Sequence, residues 1–112
     1  LSQLTFGFSR DDVSGNYIPA ALAGGQLDDD PFRTLDRHGV RRLLEIAVTE
    51  GRQAKPELIT GICGEHGGDP DSIAMCHALG FTHVSCSASR LKVARLAAGR
   101  AALGIGGPST TA

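Results

Sequence analysis

The chain has 112 residues, 41% of them apolar, which suffices for one domain with a modest core and is too apolar for a disordered segment. Its 11 basic and 12 acidic residues give a formal charge of −1, and its aromatic content is 4%, so it lacks both the basic excess and the stacking platform of a nucleic-acid binder, or the basic face of a membrane-surface one. Three cysteines, an odd number, read as free thiols in a reducing cytoplasm, and no apolar run approaches the length of a membrane span.

The chain opens on Leu1 rather than Met, with an apolar Leu4-Thr5-Phe6 stretch close behind, which predicts a fragment or a trimmed chain. Residues 1–12 read as a strand-exit loop with a helical turn, ending in Arg10-Asp11-Asp12. Tyr17 to Leu27 predicts a short helix broken by Gly24-Gly25. Asp30-Pro31 is a helix-start pair, because Asp caps free N–H groups and Pro fits the first helical position. The helix it starts is interrupted by Asp36-Arg37-His38-Gly39. It resumes with helical spacing from Val40 through Leu43, Leu44, Ala47 and Val48, with Gly51 as its stop.

Leu58 to Cys63, behind Pro56, is an apolar, β-branched run and predicts a buried strand. Asp69-Pro70 repeats the helix-start signal, and that helix runs through Ile73, Ala74, Cys76, His77 and Ala78 to Gly80. Phe81 to Cys86 predicts a second strand. Ser89 is the expected cap of a last helix through Leu91, Val93, Ala94, Leu96, Ala97 and Ala101. The tail, 104–112, is small, polar and expected to be flexible. Strands alternating with helices imply an α/β fold with parallel strands and right-handed crossovers. Two such strands leave unpaired edges, so the chain reads as one end of a larger α/β domain.

Gly61-Ile62-Cys63-Gly64-Glu65-His66-Gly67-Gly68 is the strongest local signal for chemistry. It puts a thiol at the C-terminal end of a strand, where α/β proteins place their sites. Gly64, Gly67 and Gly68 permit unusual backbone angles and close approach. Glu65 and His66 are placed to tune or orient the site. The helix starting at Pro70 would turn its positive end toward the same face and favour an anion. The same run also fits a structural Cys before a glycine-rich turn, since free cysteines are often simply buried.

Other motifs point elsewhere less specifically. Cys63 and His66, and His83 and Cys86, have zinc-ligand spacing, but they lie on different strands with a helix between, so core and surface roles are the simpler reading. A Cys-x-x-Cys redox pair and a P-loop are absent from the sequence. Gly104-Ile105-Gly106-Gly107 follows the last helix and precedes none, so it is no nucleotide fingerprint. Asp28-Asp29-Asp30 reads as a solvated turn plus a cap, Arg10 as an ion-pair partner of its acidic neighbours, and His38 as exposed. Ser85-Cys86-Ser87 ends the second strand and should share the rim with Cys63.

Ile62 to Pro70, then Val84-Ser85-Cys86-Ser87 with Arg90, then Ala94-Arg95-Leu96-Ala97-Ala98, resembles the C-terminal end of the pyruvate, phosphate dikinase family. Leu1 to Val13 resembles the second half of the signature shared by phosphoenolpyruvate-utilising enzymes, and Asp30-Pro31-Phe32 with Leu35-Asp36 match between these blocks. Glu65-His66-Gly67-Gly68-Asp69-Pro70 favours the dikinases over their relatives. The match is loose at Ser14 to Tyr17.

The resemblance implies that residues 1–103 are the last βα units of a (β/α)8 TIM-type barrel that binds phosphoenolpyruvate or pyruvate with Mg²⁺. The full enzyme interconverts pyruvate, ATP and phosphate with phosphoenolpyruvate, AMP and diphosphate, through a phosphohistidine on a separate domain of the same chain. Cys63 matches the family's proton donor to enolpyruvate, with Gly64, Glu65, His66, Gly67 and Gly68 binding substrate or shaping the site. A thiol ordinarily titrates at about 8.5 and so holds its proton at neutral pH while able to give it up. The Mg²⁺ ligands and substrate arginines belong upstream of Leu1, one ligand being the Asp of a Gly-Thr-Asn-Asp run. The chain alone is therefore expected to be inactive. The family also implies a homodimer, and the alternative reading is a non-catalytic dimerisation or assembly module derived from the same barrel.

Overall fold

The computed structural model describes residues 1–105. Among them run six helices and two short strands: α1 (Ser2–Phe6), α2 (Arg10–Val13), α3 (Tyr17–Ala23), α4 (Gly39–Ala54), β1 (Gly61–Ile62), α5 (Pro70–Ala78), β2 (His83–Val84) and α6 (Leu91–Ala102). One 3-10 turn, Glu65–Gly68, follows β1, and another, Ala88–Arg90, precedes α6. The order β1-turn-α5-β2-turn-α6 is a βαβα unit, and the strands pair in parallel with Gly61 opposite His83 and Ile62 opposite Val84. The expected α/β class therefore holds, with helix far outweighing strand. Residues 106–112, most of the expected flexible tail, lie outside the described residues.

Both strands are shorter than the runs that predict them. The Leu58 to Cys63 and Phe81 to Cys86 runs contribute two paired residues each. The reason is the missing second neighbour: each strand has one partner among the described residues, and β1 is not the buried strand expected. Gly61 is exposed, Ile62 half-buried and Ile59 74% exposed. Just beyond the ladder, Thr60 N donates to Thr82 Oγ1 at 2.9 Å and Ser85 N donates to Ile62 O at 2.8 Å, so the strand ends stay tied together.

The core has two parts. Leu35, Val40 and Leu44 pack with Met75 and Cys76, and with half-buried Ile62, Phe81 and Val84. Ile73 packs with Ala94 and Ala97, against Val84 and Cys86. Val84 packs against both parts, and α5 contributes to each: Met75 and Cys76 face α4, and Ile73 faces α6. On α4, Val40, Leu44 and Val48 repeat every fourth residue and form its buried stripe.

Three helix boundaries differ from expectation. Asp30-Pro31 starts a turn and no helix. Asp30 Oδ1 accepts from Phe32 N at 2.9 Å, but Leu35 N then donates to Ser72 Oγ at 2.9 Å, which takes the chain out of helical register. The helix begins only at Gly39, where Asp36 Oδ2 accepts from Val40 N at 2.9 Å. Gly51 does not stop α4, which continues to Ala54 just before Pro56. Instead, a Cβ on Gly51 would lie 2.7 Å from Leu58 Cδ2, so its bareness lets the following loop fold back on the helix. Ser89 does not cap α6. It sits inside the Ala88–Arg90 turn with its Oγ 3.2 Å from Ser87 Oγ. Residues 1–12 form two short helices rather than a loop with one turn. Their anchor is aromatic: Phe8 meets Phe6 at 5.6 Å, Tyr17 at 5.7 Å and Phe32 at 6.0 Å between ring centroids.

Ser72 is fully buried and spends its hydroxyl twice, donating to Asp69 Oδ2 at 2.6 Å and accepting from Leu35 N. Ser72→Ala leaves a buried N–H unpaired, which costs about 1–3 kcal/mol. Chemical denaturation of the variant checks this; a loss below about 0.5 kcal/mol, the scale of a neutral surface change, contradicts it. Cys76 is equally buried, and burial pushes its thiol up to about 11 because the interior disfavours the thiolate. The folded state thus favours the neutral form. That contribution is complete below the ordinary thiol value and is lost as pH rises through about 11. Unfolding measured from pH 8 to 11 should show a decline that Cys76→Ala flattens; parallel profiles would contradict the assignment.

Candidate active site around Cys63

Cys63 lies one residue past β1 and is exposed, whereas Cys76 is buried and Cys86 half-buried. All three are free thiols. What distinguishes Cys63 is the turn that follows it. Gly64 has φ 78° and ψ −152°, a conformation that is essentially glycine's alone. It reverses the chain into the Glu65–Gly68 turn, where Gly67 N donates to Gly64 O at 3.1 Å.

The turn is pressed onto the exit of β2. A Cβ on Gly67 would overlap the backbone carbonyl of Ser85. Gly67 and Gly68 are both buried, and a Cβ on Gly68 would sit 2.9 Å from the Cβ of Arg90. Cys63 and Ser85-Cys86-Ser87 thus end neighbouring strands on one side, as the alternation of strands and helices requires. The turn is also held from the 30s segment: His66 Nε2 is 2.9 Å from Pro31 O. Glu65 is exposed and faces a cleft of about 500 Å³ that Asp69, Arg90, Arg33 and the Asp28 to Asp30 run also line.

A second cleft, of about 470 Å³, touches the turn at His66. Its walls are Ile62, His66, Phe32 and the N-terminal residues Leu1 to Gln3. It is the more apolar space and reaches the residue before Cys63.

One expectation changes here. The N-terminus of α5 is not open to an outside anion, because Asp69 Oδ2 already accepts from Ser72 N at 2.9 Å. The zinc-type spacings do not assemble: among the described residues no three His, Cys, Asp or Glu groups gather into a ligand set, and His66 turns its Nε2 to Pro31. Arg10 pairs with Asp11 at 3.5 Å, His38 is exposed, and Asp28 and Asp29 are solvated, all as expected. Pro31, Ser72 and Arg90 are the residues around the turn whose parts sequence reasoning missed. Their partners lie 35, 37 and 22 residues away, so no local pattern announces them.

The phosphoenolpyruvate-utilising enzyme, phosphoenolpyruvate-binding domain family matches residues 1–103. A pyruvate, phosphate dikinase of Clostridium symbiosum is 52% identical over 103 residues, covering 92% of this chain and 12% of the relative. The protein of the same name from Entamoeba histolytica is 52% identical over 101 residues, covering 90% of this chain and 11% of the relative. Pyruvate, phosphate dikinase 2 of Zea mays is 54% identical over 98 residues, covering 88% of this chain and 11% of the relative. The chain thus spans about an eighth or less of these relatives. With the family matched across nearly the whole chain, this protein belongs to the phosphoenolpyruvate-binding domain family of phosphoenolpyruvate-utilising enzymes.

Proposed function

We propose that this chain is the proton-transfer end of the phosphoenolpyruvate/pyruvate site of a pyruvate, phosphate dikinase, with Cys63 as the acid. The observation that carries the reading is the exposed Cys63 thiol at the end of β1, on a glycine-locked turn, in a chain about half identical to dikinases. In the pyruvate-forming direction the Sγ–H proton of Cys63 goes to the methylene carbon of enolpyruvate. The enolate oxygen becomes the ketone, and the thiolate remains to take a proton from the methyl group in reverse. Gly64, Gly67 and Gly68 fix the thiol's place, and Glu65 and His66 shape the surface beside it. The larger architecture is the end of a (β/α)8 barrel, joined in the same protein to a phosphohistidine domain that carries the phosphoryl group.

Among the described residues no three His, Cys, Asp or Glu groups converge to hold a Mg²⁺ ion. Asp69, the carboxylate beside the turn, spends Oδ2 on Ser72. On this reading the metal ligands come from elsewhere in the protein, and no step above runs through the ion. The three free thiols suit a reducing compartment such as the cytoplasm.

A second reading, a dimerisation or assembly module, is favoured by one feature: Leu4, Ile59, Leu96 and Leu103 are each at least 66% exposed. It predicts that the chain associates without supporting catalysis. The two readings separate in the protein at its full gene length. Cys63→Ala should abolish pyruvate formation from phosphoenolpyruvate while sparing phosphoryl exchange between the nucleotide and the upstream histidine, and the isolated 112-residue chain should turn over nothing. Retained pyruvate formation in the variant sinks the proton-donor role.

A further inference from the structure

Arg90 does not belong to the strand end that carries Cys63. It closes the Ala88–Arg90 turn at the start of α6, 22 residues beyond Gly68. Yet its side chain runs back over the glycine turn. Arg90 Nη2 donates to Gly68 O at 2.9 Å and Nε donates to the same oxygen at 3.3 Å. The stem lies so close that a Cβ on Gly68 would stand 2.9 Å from Arg90 Cβ and 3.2 Å from Cγ. Gly68 is buried and ends the turn that begins directly after Cys63-Gly64.

Three contacts therefore fix that turn from outside: Ser85 beneath Gly67, Pro31 beside His66, and Arg90 over Gly68. The first is steric and needs no side chain on the turn. The second is a single hydrogen bond. The third alone combines a charged donor pair with a packed aliphatic stem, and a charge-assisted bond is stronger than a neutral one. A lysine would supply one donor without the planar fork. We propose that Arg90 is a positioning residue that sets the placement of Cys63 by clamping the carbonyl of Gly68. The catalytic consequence rests on reading Cys63 as the proton donor; the clamp itself does not.

The test uses the protein at its full gene length and two readouts. The first is the rate at which iodoacetamide alkylates Cys63, followed on its peptide by mass spectrometry. The second is kcat and KM for phosphoenolpyruvate. Arg90→Met keeps the stem and removes the donors. It should change the alkylation rate at least threefold and lower kcat at least tenfold, with KM within twofold and the melting temperature near that of the parent. Arg90→Lys should recover part of both. Gly68→Ala covers the case in which Arg90→Met does not fold: its added methyl displaces the Arg90 stem while keeping the charge, and it should change Cys63 alkylation in the same way. Unchanged alkylation in Arg90→Met, or in Gly68→Ala where Arg90→Met does not fold, overturns the clamp. Altered alkylation with pyruvate formation surviving Cys63→Ala leaves the clamp standing and removes the proton-donor reading instead.

Discussion

The glycine turn after β1 lies against the backbone of the chain leaving β2, with the Ser85 carbonyl where a side chain on Gly67 would be. This is backbone against backbone, and it is possible only because residue 67 has no Cβ. The other devices around Cys63 presuppose it. With the turn lifted off β2, the Gly68 carbonyl would leave the Arg90 guanidinium. His66 would lose Pro31, and Asp69 would no longer be in place to cap α5. A strand end in a βαβα unit is fixed by the ladder behind it, but here the ladder is two residues long. Packing of the two exits, with the Ser85 N to Ile62 O bond, extends that constraint to the thiol.

A second constraint ties the 30s segment to the same turn. Ser72, without solvent exposure, joins the Asp69 cap to the backbone at Leu35, and the exposed Arg37–Asp71 pair at 3.4 Å adds little beside it. Because Leu35 also sits in the core with Val40 and Cys76, one buried hydroxyl couples loop, helix and core. The aromatic group around Phe8 then holds α1 and α3 on Phe32. Gly61 and Ile62 of β1 and the N-terminal segment thus become walls of one cleft.

What was legible in the sequence was local. Asp69-Pro70 gave the start of α5 to the residue, because a cap and a first-turn proline act within four positions. Gly64 through Gly68 announced an unusual turn for the same reason. Asp30-Pro31 carries an identical signal, yet makes only a turn, because Ser72 takes the N–H that a helix would have used. That competitor lies 37 residues away. By pattern Gly51 is a helix stop, but in the fold it is a contact point for Leu58, a distinction that only the folded loop makes. The strands were legible as apolar runs, but their lengths depend on neighbours that a single pair does not have. The aromatic anchor was hidden by the low aromatic content, since four of so few rings converge on one place.

For the chemistry, Cys63 differs from the other two thiols in exposure and in the backbone that carries it. Cys76 is sealed in the core and its neutral form is favoured there; Cys86 is half-buried behind α6. On the proposed reading, an acid that gives a proton to carbon must be accessible and firmly carried, and Cys63 is exposed and directly precedes the glycine-locked turn. The most direct test is deuterium uptake into the methyl group of pyruvate in D2O, catalysed by the protein at its full gene length. The account predicts uptake by the parent and none above background for Cys63→Ser, which keeps the size of the side chain but not its acidity. Uptake by Cys63→Ser at the parental rate would contradict it.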